Sequence, residues 1–215
     1  SLSETLLVFL SASLHVFWNF LAKSNDRPTI FFAIVGIPVV VFALLMIVFI
    51  DVTQIPFIVL LYAIASGLVH AFYFFALGLA YSSGNISFVY PIVRSAPAFV
   101  PVAAFFLLNE TLSKRGIVGI GIVIFCILFL QITNKQSSDH IQPSTRNGSV
   151  WAIVTLFTVV CYTMVDKLGM LAFNKSMVLT AYIRGPVFFL LQGGIASIVY
   201  WLAMGLRKTQ FNAIT

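Results

Sequence analysis

The sequence predicts an all-α fold. It reads as a polytopic bundle of transmembrane helices, a five-helix repeat followed by the start of an inverted second repeat. Three observations predict it. Hydrophobic residues make up 60% of the 215-residue chain and charged ones only 8%, against about 25% charged in a soluble domain. Seven apolar runs are long enough to cross a bilayer core of about 30 Å, which takes about 20 helical residues. A single long polar stretch separates the first five runs from the last two.

The runs fall at 2–22, 29–50, 57–81, 86–108, 116–133, 150–172 and 177–204. Strands spanning a membrane would be shorter and would alternate apolar with polar residues; these runs do not alternate. The first run lacks the basic n-region and small-residue cleavage site of a signal peptide, so it reads as a span. Short polar separators join most runs, and only 134–148, rich in Ser, Thr, Gln, Asn and Gly, reads as a linker. The expected organisation is therefore a first repeat over 2–133, a linker over 134–148 and a partial second repeat over 149–215. Trp18 to Lys23 in the first run and Tyr162 to Lys167 in the sixth repeat one aromatic-to-Lys spacing. Five spans is an odd number, so a second copy would enter the membrane upside down, a common plan in secondary transporters.

Twelve Lys/Arg against six Asp/Glu give a net charge of +6. Most basic residues sit singly or in pairs at the ends of runs, which reads as topology and headgroup contact. No basic tract with interleaved aromatics occurs, so nucleic-acid binding is excluded. Lys23, Arg27, Lys135, Arg146, Arg207 and Lys208 on one side outweigh Lys114, Arg115 and Lys175 on the other. By the positive-inside rule this places the N-terminus outside.

The residues that lipid would reject locate a candidate site. Arg94 and Arg184 each lie about eight residues into a span, where an unpaired Arg costs at least about 2.5–3.5 kcal/mol. Each is expected either to pair structurally, with Asp166 as one partner, or to line a wet path and attract an anionic or zwitterionic solute. Ser11, His15, Trp18, Asn19 and Ala22 share one face of the first helix. That face reads as cavity lining or as interhelical hydrogen bonding. His70 and Tyr73 form a similar pair in the third helix. In YPIVRSAPAFVP of the fourth, Pro91, Pro97 and Pro101 are expected to kink the helix around a cavity, with Tyr90 and Arg94 beside them. The substrate-binding candidates are His15, Trp18, Asn19, His70, Tyr73, Tyr90, Arg94, Tyr162 and Arg184. The fifth run, with Gly116, Gly119 and Gly121, reads as a packing helix or the face of a homodimer.

Other chemistries lack their residues. Cys126 and Cys161 lie in apolar runs with no CxxC and no Cys/His cluster, so no metal or disulfide framework is indicated. No cofactor motif, nucleophile elbow or P-loop occurs, and no enzyme is expected. No acid lies near the centre of a span, since Glu4, Asp51 and Glu110 are at ends and Asp166 is off-centre. A cation exporter built on a central carboxylate is therefore disfavoured.

The stretch from Tyr73 to Gln131 resembles the third to fifth helices of an EamA domain, from the drug/metabolite transporter superfamily. The resembling features are Ala76-Leu77-x-x-Ala80 after an aromatic run, Tyr90-Pro91, and the prolines of the fourth helix. Asn109-Glu110-Thr111-Leu112-Ser113 at its end, the glycine-spaced fifth helix, and Trp18-Asn19-x-x-x-Lys23 also fit. The likeness is close over about 5–133 and looser over 150–205. It implies two five-helix inverted repeats, ten helices in all, around a central cavity worked by alternating access. On that pattern the chain looks truncated by three helices. It also implies an inside N-terminus, against the charge count, and export of amino acids, nucleobases, sugar phosphates or other metabolites, or flipping of lipid carriers. The resulting expectation is an exporter of a small polar metabolite in the plasma (inner) membrane. The alternative is a membrane scaffold or receptor subunit that transports nothing.

Overall fold

A computed structural model describes residues 2–136 and 146–206. They form eight α-helices: α1 (Leu2–Ser24), α2 (Pro28–Phe49), α3 (Phe57–Ser83), α4 (Ile86–Val93), α5 (Ala96–Leu108), α6 (Lys114–Gln136), α7 (Arg146–Ser176) and α8 (Ala181–Leu206). Among the described residues six spans are long and apolar enough to cross a membrane: Thr5–Ser24, Pro28–Phe49, Phe57–Ser83, Phe88–Leu108, Arg146–Ser176 and Ala181–Gly205. The fifth apolar run, 116–133, is helical as α6, and some of its side chains lie outside the described residues. The linker is shorter than the sequence suggests, because 134–136 and 146–148 continue the flanking helices; 137–145 lie outside the described residues.

The fourth span is one membrane crossing made of two helices. The chain leaves helical geometry at Arg94 and Ser95, between α4 and α5. Proline explains the position. Pro97 has no N–H to give to the carbonyl four residues back, and its ring crowds that turn. Ser95 closes the break locally, its hydroxyl donating to the Ile92 carbonyl at 2.6 Å. At the far end Asn109 ends α5 in the left-handed region at φ 53, a conformation Asn tolerates better than most residues.

Helix α3 is central and packs on α2, α7 and α8. Two apolar clusters are stacked along it. One gathers Val59 and Ala63 of α3 with Met46, Phe173, Val187 and Phe188. The other gathers Ala71, Tyr73, Leu77 and Tyr81 of α3 with Val89, Val93, Ala152 and Tyr200. The register of α3, α7 and α8 leaves a polar layer between them, at Ser66, His70, Asp166 and Gln192.

Helix α1 docks only by its C-terminal half. Trp18 packs edge-on to Phe32, with ring centroids 5.3 Å apart. Asn19 and Ala22 are fully buried. Lys23 donates to the carbonyls of Tyr81 at 2.6 Å and Gly84 at 2.9 Å, at the end of α3. From Thr5 to Phe17 every described side chain is exposed.

Candidate functional site

Five of the nine candidates come together where α3, α4 and α7 meet. His70 and Tyr162 stack with ring centroids 3.7 Å apart and planes at 30°. Tyr73 stands edge-on to both, at 6.3 Å from His70 and 5.6 Å from Tyr162. Arg94 enters from the α4–α5 break. Its guanidinium carbon lies 5.5 Å from the Tyr90 ring centroid, in cation–π range, and it interacts with the Tyr73 hydroxyl. The Arg94 charge also acts on His15, Tyr81 and Tyr162.

Arg94 is the unusual member. Its Nε and Nη2 are buried and find no hydrogen-bond acceptor among the described residues. A guanidinium offers five N–H donors and accepts nothing, so buried and unmet donors are costly. The break sets this up, because a residue at a helix end has its side chain freed from the ridge of its own helix.

The other four candidates fall elsewhere. Trp18 borders the aromatic group through Phe74, 6.2 Å from Trp18 and 5.2 Å from Tyr73 between centroids. His15 lies on the exposed half of α1, where it lines a concavity of about 510 Å³ with Leu7, Leu10, Ser11, Leu14 and Trp18. Asn19 is committed to structure. Its amide donates to the His15 carbonyl at 2.6 Å, and its Oδ1 accepts from the Tyr81 hydroxyl at 3.0 Å. Arg184 sits far from the group, at the α7–α8 connection. It donates to the carbonyls of Val178 at 3.0 Å and Leu179 at 2.9 Å and reaches the Asn174 side chain at 3.3 Å. That connection turns through positive φ at Met177 and Leu179, which points its carbonyls inward. The expected pairing of an Arg with Asp166 does not form there.

A neighbouring polar group escaped the sequence reading. Ser66 donates to Asp166, lies 3.2 Å from Gln192 Oε1 and 3.2 Å from His70 Nδ1. Ser66 is fully buried and Gln192 nearly so. Their shared signal was one polar residue per span at matching depth on α3, α7 and α8. Among the described residues no three His, Cys, Asp or Glu gather as metal ligands. At the rim, Lys167 of α7 pairs with Glu110 beyond α5.

Arg94 is thus an undersupplied cation beside aromatic rings in a bundle of apolar helices. The EamA-like transporter family model matches residues 2–132. The chain belongs to this family. It is thus an integral membrane protein of a transporter family rather than of an enzyme family. The EamA match covers α1 to α5 and most of α6, so α7, which brings Tyr162 and Asp166, lies beyond it. No curated protein and no solved structure matches the chain.

Proposed function

We propose that this EamA protein carries a small anionic or zwitterionic metabolite, such as an amino acid, out across the plasma (inner) membrane by alternating access. In this reading α1 to α6 are one repeat, and α7 and α8 open an inverted partner. The observation that carries it is Arg94, whose buried Nε and Nη2 have no acceptor among the described residues. A carboxylate or phosphate meets those donors with the paired geometry a guanidinium favours. Tyr73, Tyr90, Tyr162 and His70 supply flat walls, and the tyrosines supply hydroxyl donors that fix its orientation. The α4–α5 break gives the fourth span a place to bend, which is what gating one half of a bundle against the other requires.

The test is solute movement in proteoliposomes carrying the full chain, loaded in turn with amino acids, carboxylates and phosphate monoesters. Arg94→Ala is expected to remove transport of the solute the wild type moves. Loss of charge-assisted hydrogen bonds worth about 1.5–3 kcal/mol corresponds to roughly tenfold to a hundredfold in affinity. Arg94→Lys keeps the charge without the planar fork and is expected to fall between. Wild-type transport by an Arg94→Ala protein that inserts normally overturns the reading.

A further inference from the structure

The polar layer between the two apolar clusters has more contacts than protons. Ser66 Oγ faces Asp166 Oδ1, Gln192 Oε1 at 3.2 Å and His70 Nδ1 at 3.2 Å. His70 Nδ1 also lies 3.1 Å from the Ser66 carbonyl. A carbonyl only accepts, so His70 carries its proton on Nδ1 and donates it. That leaves the single Ser66 hydroxyl proton for two oxygen neighbours. With Asp166 ionised, the hydroxyl turns to the carboxylate, and Gln192 Oε1 faces a bare oxygen lone pair. One more proton resolves this. A protonated Asp166 donates to Ser66, Ser66 donates to Gln192, and each contact of the Ser66 hydroxyl with an oxygen holds one hydrogen, while the His70 Nδ1 proton meets the Ser66 carbonyl.

We propose that Asp166 is a proton-binding site, and that its proton latches α8 to α3 through Ser66 and Gln192. The latch sits beside a close approach of the two helices. A Cβ added at Gly67 would lie 2.8 Å from the Gln192 carbonyl oxygen. When the half-exposed carboxyl gives its proton to water, Ser66 turns back to Asp166 and the bond to Gln192 is lost. The α3–α8 contact then loosens beside the Arg94 group, so a proton gradient is able to drive the bundle between its states.

The surroundings of Asp166 leave it without a cation. From α3 it meets Ser66, and through Ser66 it is linked to His70 and to Gln192 of α8, which does not ionise. Arg184 of α8 is bound to the α7–α8 connection. Lys167, next along α7, is paired with Glu110. Tyr162 stands one turn back, between Asp166 and Arg94, and feels the charge of both. Tyr90 and Arg94 of the fourth span lie on that far side. An ionised carboxylate with one neutral donor, held between two apolar clusters, is poorly solvated.

The test is infrared difference spectroscopy of the full chain in liposomes. It uses no solute, so its failure is separate from a failure of the transport reading. The chain has only six acidic residues, which makes the carboxyl region simple to assign. At neutral pH the wild type is expected to show the carbonyl stretch of a protonated carboxyl, lost in Asp166→Asn and retained in Glu110→Gln. Alkaline titration is expected to bleach the band and shift tryptophan emission together, Trp201 of α8 donating to the Ala33 carbonyl of α2. Asp166→Asn, a neutral isostere, is expected to show no such emission shift. Ser66→Ala keeps the acid but removes its partner, and is expected to move both the band and its titration. A wild type without the band, or a band that persists in Asp166→Asn, overturns the proposal. In that case a reversed Gln192 amide supplies the missing donor and Asp166 stays charged. An emission shift retained in Asp166→Asn overturns the latch, as does a band and titration unmoved by Ser66→Ala.

Discussion

Replacing Gly67 by Ala probes a close helix–helix contact of the bundle core. A methyl group at that position would lie 2.8 Å from both the Gln192 carbonyl oxygen and Ile195 Cγ2, where ordinary contact begins at 3.4 Å. The shortfall is roughly 0.6 Å, and one of the two obstacles is backbone, which does not rotate away. Helices α3 and α8 must part. A gap of about 0.5–1 Å forfeits a quarter to a half of each dispersion contact along the seam, and overpacking of this kind costs about 1–3 kcal/mol. Removing a helical glycine returns about 0.5–1 kcal/mol. The expected net loss is about 1–2 kcal/mol, read as a lowered unfolding midpoint in SDS or heat for the full chain in detergent. Gly119→Ala in α6 is the control. Nothing lies within 4 Å of its added methyl, so the propensity gain stands alone and the midpoint holds or rises. A Gly67→Ala midpoint at or above that of Gly119→Ala refutes the argument that close approach requires glycine at 67.

Other substitutions separate structural from functional polar residues. Tyr81→Phe leaves the fully buried Asn19 Oδ1 without its donor and is expected to cost about 1–3 kcal/mol, measured by the same unfolding. Arg184→Met strips the inward carbonyls of Val178 and Leu179 of their donors and is expected to cost about 3 kcal/mol or more; an unchanged midpoint would count against the clamp. Glu110→Gln breaks a pair whose members are 37% and 46% exposed, so its effect on stability is expected to stay below about 1 kcal/mol. Asp51, in the turn after α2, accepts from the Thr53 hydroxyl and from Gln54, and these bonds hold its carboxyl below the ordinary carboxylate range. Its folded-state value is the lowered one, so its contribution is present above the unfolded carboxylate value and fades as pH falls through the folded one. An Asp51→Asn protein is expected to lose that acid-side dependence of the midpoint.

The bundle was legible because hydropathy acts over whole helices. The glycines of α6, read as a packing or homodimer face, are open at Gly119 and Gly121, where an added methyl would meet nothing within 4 Å. The break in the fourth span was legible too, since proline acts on its own backbone and needs no tertiary partner. Which polar residue faces which neighbour was not. Asn19 and Trp18 are adjacent on one helix face, yet one is locked to Tyr81 and the other borders the aromatic group through Phe74. Asp166 read as peripheral because depth along a single span says nothing about a partner on another. Ser66, at matching depth on α3, brings it into the core. Such a layer depends on the register of α3 against two helices whose partners lie 100 and 126 residues further along the chain, and no local pattern encodes that register.

The two arginines make the same point about function. Arg94 and Arg184 have the same signature in sequence, a lone cation about eight residues inside an apolar run. Their fates diverge with the backbone beside them. Arg184 precedes Pro186 in α8 and follows a connection with two positive-φ residues, Met177 and Leu179. That connection presents free carbonyls at bonding distance, so the guanidinium is quenched inside the protein and its removal is a loss of stability. Arg94 stands at a helix break where Ser95 takes the Ile92 carbonyl, and its Nε and Nη2 are left buried with no acceptor among the described residues. An anion that meets them gains the full value of a desolvated, charge-assisted contact without displacing an internal partner. The same solute offered to Arg184 would first have to break bonds to three residues. Removal of Arg94 should therefore spare folding and weaken binding roughly tenfold to a hundredfold, and removal of Arg184 should cost stability and spare binding. The pair of substitutions, scored for both unfolding and solute movement, distinguishes a solute site from a structural cation more sharply than either does alone.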